Sequence, residues 1–74
     1  MNDEDLETAQ YLIDDLSQGD KYSLKEIYGE YWDSIPDKKE FGKQFKRAVK
    51  SNRLSNIIHV GIRESGRCDE YQRT

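Results

Sequence analysis

Seventy-four residues, 34% hydrophobic and 36% charged, make one small domain with a limited core, and aromatic residues must supply much of its buried area. The single cysteine excludes an internal disulfide, and with one histidine it excludes a zinc site of standard spacing. No apolar run nears the ~20 residues of a membrane-spanning helix. The net charge of −3 conceals a division. Met1–Asp37 hold eleven acidic and two basic residues, net −9, whereas Lys38–Thr74 hold ten basic and four acidic, net +6.

Such asymmetry points to a polyanionic partner, or to two surfaces that attract each other head to tail and favour a homodimer at low salt. The lone cysteine and an acidic N-terminus unlike a secretory signal predict a cytoplasmic protein.

In chain order, Leu6, Ala9, Ile13 and Leu16 recur at helical spacing with Leu12 beside them, predicting an amphipathic helix from Asp3 to about Ser17. Asn2 or Asp3 can cap it, the acidic first turn suits the helix dipole, and Gly19 follows where a left-handed C-terminal residue is wanted. After a short extended stretch at Lys21–Tyr22, Ser23 and Glu26 form a capping box, with Tyr22 and Ile27 at the positions of a hydrophobic staple. This second helix carries Leu24, Ile27, Tyr28 and Tyr31 inward and ends near Trp32. Pro36 disfavours a helical Ile35, and Asp37 with Glu40 restarts the chain, Ser34 being a rival cap.

The third helix lies within "KKEFGKQFKRAVKSNR", Lys38–Arg53, which holds seven basic residues and one acidic. At ~100° per residue, Phe41, Phe45, Ala48 and Val49 form a compact apolar stripe. Lys39, Lys43, Lys46, Arg47, Lys50 and Arg53 fall on the opposite arc, between about 120° and 240°. Like charges at such spacing subtract a few tenths of a kcal/mol per pair, so an all-basic face suggests a phosphate partner. Gly42 costs ~1 kcal/mol against Ala in mid-helix, which predicts close approach by another backbone. "IIHVGIR" then reads as a strand with Ile58, Val60 and Ile62 on one face, "ESGR" as a turn, and "CDEYQR" as a return strand placing Tyr71 over that row. The expected core is Leu12, Leu24, Ile27, Phe41, Phe45, Val49, Val60 and Tyr71.

The expected fold is a single α+β domain over residues 1–74: an acidic first helix (1–19), a helix-turn-helix (22–53) and a C-terminal two-stranded β-hairpin (57–73). This order resembles the winged helix-turn-helix, in which the third helix enters the DNA major groove and the hairpin wing touches flanking backbone. Tyr22, Leu24, Lys25, Ile27, Tyr28, Trp32, Ile35, Pro36, Gly42, Phe45, Gly61 and Tyr71 also resemble the spaced pattern of a family of short uncharacterised bacterial and mobile-element proteins, a domain of unknown function. That resemblance covers roughly the last fifty residues, leaves the acidic helix outside, and implies no catalytic residues.

No phosphate loop, zinc spacing or nucleophile elbow occurs, and Asp14 and Asp15 point about 100° apart, so no catalytic residue, cofactor or metal is expected. His59 reads as a structural or surface histidine; Cys68 has only Arg67 beside it to activate it. The expected function is duplex DNA binding by a small regulator of transcription or of a mobile element. Lys39, Lys43, Lys46, Arg47, Lys50 and Arg53 would act from the third helix, and Arg63 and Arg67 from the wing. Arg47 is the candidate for a base edge, because arginine reads guanine bidentately whereas lysine binds phosphate as a point charge. Trp32, Tyr28 and Tyr31 could otherwise form a stacking platform for single strands. The alternative is a protein-interaction module docking a basic partner on the acidic first helix.

Overall fold

The computed structural model describes all of residues 1–74 as α1 (Asp3–Asp14), β1 (Lys21–Ser23), α2 (Leu24–Tyr28), a 3-10 helix (Gly29–Ser34), α3 (Lys38–Lys50), β2 (Ile57–Ile62) and β3 (Asp69–Arg73). It is a small α+β domain with three α-helices and a three-stranded antiparallel sheet. The expected two-stranded hairpin is therefore incomplete. Lys21–Ser23 pairs with β3, which stands at the centre between β1 and β2. Three residues are too few to show a period of two, so β1 left only an extended trace in the sequence.

Helix starts follow the local chemistry. Asn2 caps α1, its side chain accepting from the Asp5 N–H at 2.8 Å while the Asp5 carboxylate accepts from the Asn2 N–H. The Ser23–Glu26 box is likewise reciprocal, at 3.2 and 2.8 Å. Asp37, not Ser34, caps α3, accepting from the Glu40 N–H at 3.2 Å.

Helix ends differ more. α1 stops at Asp14, so Gly19 (φ +90°) sits in the turn before β1, its N–H donating to the Arg73 carbonyl at 2.7 Å. α2 stops at Tyr28, where Gly29 adopts φ +55°, and the chain tightens into the 3-10 helix as far as Ser34.

The buried core draws Ala9 and Ile13 from α1, Leu24, Ile27 and Tyr28 from α2, Phe45, Ala48 and Val49 from α3, and Leu54, Ile57 and Tyr71 from the remainder. Phe45 is its pivot, meeting the rings of Tyr71 and Tyr28 edge-on at 5.0 and 6.3 Å. Leu12 and Phe41 pack half-buried at its margin, while Val60 is 39% exposed and stands outside it.

Val60 marks a correction. Residues paired across a sheet share a face, and Ile57 and His59 lie opposite Arg73 and Tyr71, so Ile58 and Val60 point away from the helices. The register shifts between His59 and Gly61, and beyond that bulge Ile62 stands opposite Asp69 and is 67% exposed at the sheet's end. The expected row of Ile58, Val60 and Ile62 is thus turned outward and broken. Apolar residues occupy both parities of this strand, and Ile57 takes the inner face, where it joins Leu54 and Tyr71 in the buried core. Gly42 is a second correction: a Cβ there would meet only Leu24 Cδ2 at 3.9 Å, ordinary contact rather than a close backbone approach.

Candidate nucleic-acid interface

Lys39, Lys43, Lys46 and Lys50 follow one another at four, three and four positions, a stripe within about 60° on the helix. Because Phe45, Ala48 and Val49 bury the other side, this stripe faces outward, Lys46 half-buried and the rest exposed. Its first three lysines form one wall of an open groove of about 540 Å³. Lys25 and Trp32 close a second side, and Arg67, Cys68 and Asp69 a third. With Lys38, six cations and one carboxylate line it.

That carboxylate is already engaged. Asp69 Oδ1 lies 3.2 Å from Lys46 Nζ and 2.9 Å from His59 Nε2. Burial favours the neutral Asp69 carboxyl, but hydrogen bonds with His59 and Lys46 outweigh it and hold its pKa below the usual value. The His59 ring packs edge-on against Tyr71 at 5.3 Å, so His59 fixes Asp69, and Asp69 fixes Lys46.

The two wing arginines part company. Arg67, exposed and at φ +51° in the β2–β3 connection, lines the groove. Arg63 is half-buried, its Nε 2.9 Å from Glu70 and its Nη2 2.9 Å from Glu26. These bonds to Glu26 and Glu70 raise the Arg63 pKa. The Ser23 N–H, and then Arg63, lower that of Glu26. Arg63 thereby ties the end of β2 to the first turn of α2, with its charge already paired to two carboxylates.

Arg47 and Arg53 also stand apart, lining a separate depression beside Met1, Gln44 and Ser51. Arg47 is about 100° around α3 from Lys46, so the expected base-reading residue lies outside the groove. Sequence reading missed Lys25 and Lys38. Lys38 falls on the apolar side of the helical wheel, and its Nζ reaches the Ile35 carbonyl at 3.3 Å. The aromatic platform is dispersed: Trp32 lines the basic groove, Tyr28 is in the core, and Tyr31 lines a different cavity. Cys68 is a half-buried free thiol on the groove wall. No helix is long and apolar enough to cross a membrane.

Comparison with known families matches residues 7–73 to the family described as domain of unknown function DUF1413, and the chain belongs to it. The match includes most of α1, so the acidic helix lies inside the family's span rather than outside it. No curated protein and no solved structure matches the chain.

Proposed function

We propose that this member of the DUF1413 family binds duplex DNA, with α3 and the β2–β3 connection acting as the recognition helix and wing of a winged-helix-like domain. The observation that carries the reading is convergence. Lysines from α2 and α3 and an arginine from the β2–β3 connection, distant in sequence, meet around one groove. The element order α1-β1-α2-α3-β2-β3, with β3 between its partners, suits a wing beside a recognition helix.

Lysines predominate, so phosphate contact and counterion release supply most of the affinity. Lys39, Lys43 and Lys46 follow the backbone, Lys46 being pre-positioned by Asp69, and Arg67 reaches a flanking phosphate from the wing. Arg63 acts indirectly by bracing the wing on α2. The reading places the protein among cytoplasmic DNA-binding regulators and includes no catalytic step, metal or cofactor. A second reading, docking of a basic protein partner at α1, draws on a separate acidic cavity and is compatible with the first.

Titration of a fluorescent mixed-sequence duplex across a salt series tests it. Four or five phosphate contacts give a log–log slope near −4, at roughly −0.9 per contact. K43A, K46A and R67A should each lower its magnitude by about one unit, whereas R63A should leave it unchanged. Absence of salt-dependent binding at low ionic strength would exclude this function.

A further inference from the structure

The same helix that presents the basic stripe borders a cavity of opposite character. On its other flank, α3 meets α1 and the 3-10 helix around a cavity of about 440 Å³ lined by Asp5, Asp37, Glu40, Tyr28, Tyr31 and Phe41, with no lysine or arginine among its walls. Asp5 and Asp37 each accept a backbone N–H and Glu40 accepts the Gln44 amide, yet none of them takes part in the molecule's four ion pairs. Three carboxylates therefore share one concavity without an ion-pair partner, the Met1 ammonium being bonded instead to Gln44 Oε1 at 2.7 Å.

The second observation is independent of charge. Tyr28 is 5% exposed, and its hydroxyl is buried without a hydrogen-bond partner. Its ring is held edge-on by Phe41 at 5.1 Å, which leaves little freedom to turn the hydroxyl elsewhere. A buried hydroxyl is ordinarily satisfied, so this oxygen, closed to solvent in a residue that lines the cavity, lacks the partner that a donor reaching it from the cavity would supply. The nearby Asp5 carboxylate makes an entering positive charge still more favourable.

We propose that this cavity is a cation-binding site for the lysine side chain of a basic peptide segment, its ammonium taken by the Tyr28 hydroxyl and the carboxylates of Asp5, Asp37 and Glu40. A lysine ammonium carries three donors and no acceptor, which suits a wall whose charged groups are all carboxylates. The aliphatic stem would lie against Phe41 and Tyr31, the latter 58% exposed at the mouth, where an aromatic face also attracts a cation. This gives the acidic N-terminal half a defined receptor geometry rather than a diffuse negative surface. It is independent of DNA binding, because the two sites open on different flanks of α3.

The test is amide NMR on the full chain, titrated with N-acetyl-lysine methylamide and, in parallel, with its norleucine isostere. The lysine compound should move the amides of Asp5, Tyr31, Glu40 and Phe41, and the isostere should not. Tyr28→Phe should weaken the lysine compound about three- to tenfold, the effect of one hydrogen bond. D37N combined with E40Q should weaken it about fivefold; Asn at position 37 preserves the helix cap. Neither substitution should alter the salt slope of duplex binding. No shifts, equal shifts with norleucine, shifts as large at Glu7, Asp14 and Asp15, or affinity untouched by Tyr28→Phe would each overturn the site.

Discussion

The two flanks of α3 are built from neighbouring residues and have opposite chemistry. Lys38, Lys39, Gly42, Lys43 and Lys46 turn to one side, and Asp37, Glu40, Phe41 and Gln44 to the other. The basic flank is open, and its one carboxylate is neutralised by Lys46 and His59. The acidic flank keeps its carboxylates out of ion pairs and walls them with aromatic rings. The contrast teaches that the charge division read along the chain is sharpened within a single helix, where a rotation of about 100° per residue separates the signs.

The largest effect on this comparison comes from removing what the flanks share. Phe45 is fully buried between Tyr28, which lines the acidic cavity, and Tyr71, which lines the basic groove. Phe45→Ala should cost about 3–5 kcal/mol, and urea denaturation should show both sites lost together. Near-native stability would mean the flanks are supported independently.

Gly42→Ala should act in the opposite direction and on one flank. A methyl group at position 42 meets only Leu24 Cδ2 at 3.9 Å, so the helix should gain up to ~1 kcal/mol, read as a raised melting temperature. The added methyl enters the basic groove alone; lysine-analogue affinity should stay constant even if duplex affinity moves.

Acid separates the flanks more gently. The Asp69 and Glu26 carboxyls both have lowered pKa values in the folded state. Their contribution to stability is therefore complete above the unfolded carboxylate pKa and is lost as pH falls through the lower folded values. Thermal melts from pH 7 to pH 3 should show stability declining from about pH 4.5 downward. D69N should shrink that decline, whereas an unchanged profile would mean that its bonds to Lys46 and His59 contribute nothing to folding.

Much of this was legible in the sequence where chemistry is local. Ser23–Glu26 and Asp37 announced two helix starts because capping depends on residues three positions apart. The wheel correctly set Phe45, Ala48 and Val49 against the lysine stripe. What failed was non-local. β1 exists only because β3 pairs with it, and the face of β2 was decided by a bulge and by competition between Ile57 and its neighbours. The site suffered likewise: Lys25 joined the groove from α2, and Arg63 withdrew into an ion pair with Glu26, 37 positions away. Charge on a face can be read from spacing, but which charges find a partner depends on the tertiary fold.

The place of β3 carries a consequence for how the chain reaches its native state. β1 and β2 are joined to nothing but β3 within the sheet, and β3 is the last of the three in chain order. Its end is laced further, Arg73 exchanging backbone hydrogen bonds with Gly19 and Asp20, and Thr74 donating to Asn56. Until Asp69–Arg73 leave the ribosome, the helices can form turns and collapse on one another, but neither flanking strand has a ladder to join. The β2–β3 hairpin closes locally, with Ile62 opposite Asp69, whereas β1 joins over some fifty residues (Lys21 to Gln72) and carries the loop-closure entropy of non-local pairing. The small domain is completed by its final strand.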